Sequence, residues 1–198
     1  MIKKLLNPFV YIAGSYSLLI GLLIIFCTSV IGYYSSIHFP DILSVKTGPD
    51  YPVMYHILQS IANWLVISAI LYLFAVVFSK SRIRLIDIFG TQALARFPYL
   101  FAALIGFSNA MDKFGRYILR QLLEQGDPVV MSAGAITIAI VLIVVTLFLT
   151  VWMVALMFNA YKIAANLKRG KLIITFITSL ILAIVLSAFI NNKLIQIF

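Results

Sequence analysis

Residues 129–158 read VVMSAGAITIAIVLIVVTLFLTVWMVALMF, a stretch without one charged side chain. A helix rises roughly 1.5 Å per residue and the hydrocarbon of a bilayer is about 30 Å thick, so about 20 such residues cross it. This run exceeds that length, which leaves room for it to tilt or project. A barrel strand would instead show about ten residues alternating apolar and polar. In hydrocarbon every backbone N–H and C=O must be satisfied within the chain, and an unbroken apolar run does so as an α-helix.

Four further runs flank it. The first covers 15–34 and carries no charge; Asn7-Pro8 before it suits a turn or a first helical turn, with residues 2–6 lying flat at the interface. The second covers 57–78 and ends at Ser79-Lys80-Ser81-Arg82. The third, 91–111, is the weakest, because Arg96 lies one turn inside it and Pro98 follows. The fifth covers 172–190. The reading is an all-α polytopic bundle of about five spanning helices in a single domain, 1–198. Were the third run only re-entrant, the count would fall to four.

Composition supports this. Of 198 residues, 63% are apolar and 11% charged, against about 25% charged in a soluble domain. In water such a chain would expose apolar patches beyond what soluble monomers tolerate. The apolar run after Lys3-Lys4 outlasts a signal-peptide core and lacks a small-residue cleavage site, so it reads as an uncleaved first span. The single cysteine, Cys27, permits no internal disulfide and reads as a small hydrophobe.

The net charge of +9 would suggest nucleic acid in a soluble protein. Here the basic residues sit between apolar runs, so they report topology and no nucleic-acid partner is expected. With a cytoplasmic N-terminus, the inner segments hold ten Lys and Arg: 3, 4, 80, 82, 84, 96, 162, 168, 169 and 171. The other side holds five: Lys46, Lys113, Arg116, Arg120 and Lys193. This bias fits five spans with N-in and C-out. The segment 112–127 places three bases outside, with Asp112, Glu124 and Asp127 beside them. Residues 35–56 form the long outer loop, rich in turn residues, whose Tyr51 and Tyr55 suit an aromatic belt together with Tyr33 and Tyr34.

Helices in lipid associate through close packing of small residues. At about 100° per residue, Gly14, Ser17, Gly21, Thr28 and Gly32 share a face of the first span. Ser132, Ala135, Ala139, Thr146 and Thr150 do so in the fourth, and Ala95, Ala102, Gly106, Asn109 and Ala110 in the third. These stripes are expected to be contact faces. The alternative is a polar path through a small transporter or channel, as one chain or as an oligomer, with Thr137, Thr146, Thr150, Asn109, Asn159 and Asn191 lining it.

No catalytic pattern appears: there is no H-E-x-x-H, G-x-S-x-G or P-loop. The six acidic residues fall in loops or at span ends, and no charge is expected at mid-span. His38 with Asp41 and His56 reads as a set of plain polar loop residues, so neither metal nor cofactor is expected. One constellation stands out: Lys80, Arg82, Arg84, Asp87, Gly90 and Thr91, then Arg96-Phe97-Pro98. Gly90-Thr91 suits a turn, Thr91 a helix cap, and Asp87 and Arg96 could pair across it at headgroup level. With Lys168, Arg169 and Lys171 this makes a basic inner face suited to a protein partner or to anionic lipid heads.

At this loop the sequence resembles the YIP1 family, in particular its short prokaryotic members. The likeness rests on about five spans in some 200 residues and on the lead-in from Arg84 through Asp87, Gly90-Thr91 and Ala95-Arg96-Phe97-Pro98. It rests also on Trp152 to Asn159, Tyr161-Lys162, Lys168-Arg169-Gly170-Lys171 and the fifth span. The resemblance implies a membrane-embedded adaptor or organiser without catalytic residues. Eukaryotic members carry a long cytosolic N-terminal region and are linked to Rab GTPases. Only about a dozen residues precede the first span here, so the expectation is a multi-pass protein of the bacterial inner membrane.

Overall fold

The computed structural model describes residues 7–123 and 130–198. Five helical segments in it are long and apolar enough to cross a membrane. They are α1 (Gly14–Tyr34), α2 (Val53–Phe78), the pair α3 (Leu85–Leu94) and α4 (Phe97–Ile105), α6 (Ala133–Ala165) and α7 (Arg169–Ile195). A further helix, α5 (Ala110–Leu123), joins α4 to α6. The chain is an all-α multi-pass membrane protein. Lys3, Lys4, Glu124, Asp127 and Val129, used in the sequence reading, lie outside the described residues.

Pro8–Val10 form one turn of 3-10 helix with Pro8 in its first turn, where a missing N–H costs nothing. Phe9 anchors that turn in the core at 1% exposure. α1 then runs beside α3 and α4 in the same direction. Gly14 neighbours Asp87, Gly21 meets Ala93 and Leu94, and Gly106, after α4, lies on Ser35 and Ile37. The third crossing therefore accompanies α1 along its full length and is not re-entrant.

That crossing is the most buried of the five. Of its apolar window, 67% lies inside the bundle, against 22–39% for the others. It is also the least apolar. The physical reason is the solvent: lipid accepts the greasiest helices on the outside, and the segment with polar groups is shielded by its neighbours. α6 shows the converse, with Ile138, Val141, Val144, Leu147, Phe148 and Val151 all exposed on the outside of the bundle.

Two expectations for this region are corrected. The third helix begins at Leu85, not at Thr91, and it breaks at Ala95-Arg96. Pro98 explains the break, since its ring lacks an N–H and crowds the carbonyl four residues back. Gly90-Thr91 is not a turn, and Thr91 is not a cap. Both lie inside α3, and the Thr91 hydroxyl donates to the Asp87 carbonyl at 2.6 Å.

The other boundaries shift modestly. α2 starts at Val53 rather than 57, α6 continues to Ala165 rather than 158, and α7 covers Arg169–Ile195 rather than 172–190. Part of the expected loop 112–127 is helical as α5, on which Asp112 and Arg116 pair one turn apart at 2.6 Å.

Residues 35–52 are also not the solvent-facing loop expected. A two-residue antiparallel ribbon pairs β1 (Ile37–His38) with β2 (Lys46–Thr47), in the register Ile37 to Thr47 and His38 to Lys46. In β1 and between the two strands the chain is turned into the bundle: Ile37, Phe39 and Ile42 are buried, and Phe39 stacks on Tyr99 with centroids 4.9 Å apart. Tyr55 is 1% exposed in α2 and belongs to the core, not to an interfacial belt. His56, too, lies in α2.

Candidate functional site

The residues singled out from the sequence separate into three environments. The first is a helix contact. Ser17, Gly21, Thr28 and Gly32 of α1 are buried, and Gly14 is half-buried. Gly90 does not face solvent for a partner; it is buried against the Ser17 hydroxyl and the Gly14 carbonyl. Gly106 and Ala139 are buried and Ala135 half-buried.

The second is the polar plug at the end of the bundle that holds residues 35–52. An irregular backbone at membrane depth needs protein partners for its polar groups. The Gln59 side chain accepts from the Phe39 N–H at 2.8 Å. Asn63 Nδ2 donates to the carbonyls of Phe39 and Asp41, at 2.6 and 3.1 Å. Tyr99 donates its hydroxyl to the Ile42 carbonyl at 3.1 Å. Asn191 Nδ2 donates to the Pro40 carbonyl at 3.0 Å and to Asn63 Oδ1 at 2.7 Å.

In the sequence, Asn63 is a polar residue near the start of the second span with no assigned role, and Gln59 lies one turn before it. The available signal was their spacing, since His56, Gln59, Ser60, Asn63 and Ile67 recur at helical intervals on one face of α2. Of the six residues of the channel alternative, Asn191 holds the plug, Asn109 and Thr137 are exposed, Asn159 is half-buried, and the Thr146 and Thr150 hydroxyls donate to carbonyls one turn back.

His38 sits beside this plug. Its Nε2 lies 2.9 Å from the Pro49 carbonyl and its ring stacks on His56 at 4.7 Å, with Tyr51 and Tyr55 at its edges. Burial holds its pKa below the usual 6.5, against smaller opposing effects of the Pro49 and Gly48 backbone and of Asp50. The folded pKa thus lies below the unfolded one. The stability from neutral His38 is complete above about pH 6.5 and is lost as the pH falls through the folded value. Thermal unfolding in detergent should occur at lower temperature at about pH 5 than at about pH 7, and His38→Gln should remove part of that drop.

The third environment is the basic face at the opposite end. α2 stops at Phe78, and Ser79 to Arg84 lead to α3. α6 stops at Ala165, and its C-cap Asn166, with left-handed backbone (φ 48°), reverses the chain into α7. The two connections meet where Asn166 Nδ2 donates to the Ser81 hydroxyl at 2.7 Å. Around that bond a groove of about 460 Å³ is lined by Phe78, Lys80, Ser81, Leu167, Lys168 and Lys171. An adjoining groove of about 510 Å³ shares Leu167 and adds Phe158, Lys162 and Arg169. Arg82 and Arg84 are exposed but line neither groove. Asp87 is half-buried at the start of α3.

The electrostatics of this face are unbalanced. Lys168 is the N-cap of α7, with no side-chain capping bond, and Arg169 and Lys171 occupy its first turn. A helix N-terminus carries a partial positive charge, so cations there are unfavourable by about 0.3–1 kcal/mol each. Free N–H groups and three cations together are suited to hold an anion.

Arg96 does not join this face, and it does not pair with Asp87. It lies nine positions later, about 13 Å along a helix axis, and is 5% exposed inside the bundle. The expectation of no charge at mid-span is thus corrected. An arginine at such a position costs about 3 kcal/mol or more on insertion, unless the protein interior compensates it.

The chain matches no protein-family model, no curated protein and no solved structure.

Proposed function

We propose that this chain is a non-enzymatic membrane protein of YIP1 type, a scaffold or lipid organiser that captures anionic headgroups on its basic face. The carrying observation is the groove around Ser81 and Asn166, where Lys80, Lys168 and Lys171 surround an uncapped helix N-terminus. Its walls suit a lipid. Phe78 and Leu167 offer apolar surface to an acyl chain, while the ammonium groups and the α7 N–H groups meet a phosphate. A lipid phosphate would turn the unfavourable charge at the start of α7 into a favourable one.

The basic residues set the orientation. Under the positive-inside bias the grooves face the cytoplasm, where the leaflet of a bacterial inner membrane is anionic. The same face would serve a protein partner or a second copy of the chain, brought to it by shared lipid.

The test is binding of a fluorescent phosphatidylglycerol to the purified protein in mild detergent. At about 1 kcal/mol per basic residue, Lys168→Gln with Lys171→Gln should weaken binding roughly thirtyfold, and more weakly at high salt. Arg82→Ala with Arg84→Ala should weaken it less, because those side chains lie off the groove. Equal affinity for the wild type and the double lysine variant would overturn the proposal.

A further inference from the structure

The headgroup site around Ser81 and Asn166 uses one of two grooves on the basic face. The second, about 510 Å³, is lined by Phe158, Lys162, Leu167, Arg169, Leu172 and Ile173. The two meet at Leu167, which lines both. Helix geometry separates their cations. At about 100° per residue, Arg169, Leu172 and Ile173 share one side of α7, while Lys168 and Lys171 turn to the next. Phe158 and Lys162, one turn apart on α6, supply the rest of the second wall. Consecutive residues at the start of α7 thus serve different grooves, Lys168 the first and Arg169 the second.

Both grooves have the same make-up. Lys80, Lys168 and Lys171 line the first, Lys162 and Arg169 the second, and no acidic residue lines either. None of the five pairs with a carboxylate among the described residues. Each groove also continues into an apolar track. Phe78 of the first stacks on Phe74, one turn deeper, at 5.8 Å. Ile173 of the second is followed by Ile177 and Ile181, exposed at one-turn intervals down α7. At about 460 and 510 Å³, each groove has room for a phosphate with its glycerol. A lipid with one phosphate fills one groove and leaves the cations of the other unmatched. Two separate lipids would each lose their own freedom of motion, whereas one lipid carrying both phosphates loses it once.

We propose that the two grooves together bind one lipid of the diphosphatidylglycerol class, with a phosphate on each side of Leu167. The glycerol that bridges the phosphates crosses the start of α7, and the chains follow the two apolar tracks. This extends the headgroup reading of the basic face and depends on it.

The test compares the affinities of the purified full chain, in mild detergent, for fluorescent phosphatidylglycerol and fluorescent diphosphatidylglycerol. The wild type should bind the second about thirtyfold more tightly, because its second phosphate gains two cations. Lys162→Gln with Arg169→Gln should erase that advantage while phosphatidylglycerol still binds at the first groove. Both side chains are exposed, so the fold is kept. Arg82→Ala with Arg84→Ala removes the same charge away from the grooves and should preserve the advantage. Equal wild-type affinity for the two lipids would overturn the bridging lipid and leave the single-headgroup reading standing. An advantage that survives in the Lys162 and Arg169 variant would also overturn it. So would one lost equally in the Arg82 and Arg84 variant, which would show that net charge alone draws the lipid. Binding of neither lipid would overturn both readings.

Discussion

Gly21→Leu should prevent α1 from seating against the third crossing. A Cβ added at Gly21 would lie 2.5 Å from both the Ala93 Cβ and the Leu94 backbone nitrogen. A flexible side chain could move away, but the backbone of a buried helix cannot. Gly90 makes the reciprocal contact, with a Cβ there 2.7 Å from the Gly14 carbonyl. Overpacking of a tight core costs about 1–3 kcal/mol, and a clash with backbone on both partners belongs at or above the top of that range. Even Gly21→Ala should lower the thermal midpoint in detergent measurably. Gly115, in α5, has nothing within 4 Å of its added Cβ. Gly115→Ala should therefore be neutral or stabilising by up to about 1 kcal/mol, since glycine is the poorer helix residue. Equal thermal midpoints for Gly21→Leu and the wild type would show that this is not the contact that closes the bundle.

Asn63→Leu should open the plug. Asn63 donates to two carbonyls of the 35–52 segment and accepts from Asn191. Leucine fills a similar volume but leaves the Phe39 and Asp41 carbonyls with one partner fewer. Hydrogen bonds between membrane helices are often worth only about 0.6 kcal/mol, because the separated helices find other partners in the membrane. Here the comparison differs. The residues deprived are backbone carbonyls of a non-helical segment, which water would satisfy if the loop left the bundle. The loss should approach about 2–3 kcal/mol, the cost of unsatisfied buried groups. It should appear as faster hydrogen exchange at residues 37–43 and a lower thermal midpoint. Asn191→Leu should act on the same unit, so the double variant should cost less than the two singles together, by about 1 kcal/mol. Strict additivity would mean that the two asparagines do not work as a pair.

The two predictions concern residues of different legibility. Gly21 stood out because the first span places its small residues on one face, and a helix in lipid has few other means of close approach. Asn63 did not, because a lone polar residue in an apolar run says nothing about what meets it. The basic face was partly legible. Lys80, Lys168 and Lys171 are near the ends of spans that had to turn back at the same membrane surface. That Arg82 and Arg84 miss the groove depends on how Ser81 meets Asn166, 85 positions later.

Composition and run length alone established the medium and a count of four or five crossings. Hydrocarbon needs about 20 apolar residues per helix whatever surrounds them, so length and composition suffice. The status of the third crossing and the places of the polar atoms depend on how the helices pack. Residues 35–52 look like a solvent loop because their polar groups have no local partners. Inside the bundle they are satisfied by Gln59, Asn63, Tyr99 and Asn191, the last lying 151 positions from Pro40. Arg96 looks like a headgroup residue because a charge one turn inside a weak span suits the interface. It lies instead beneath α1, α2 and the plug, because the third crossing starts six residues earlier than its apolar run suggests and so carries Arg96 deeper. Hydropathy reports the solvent around a helix, while the partner of a buried charge is set by elements that meet only once the chain has folded.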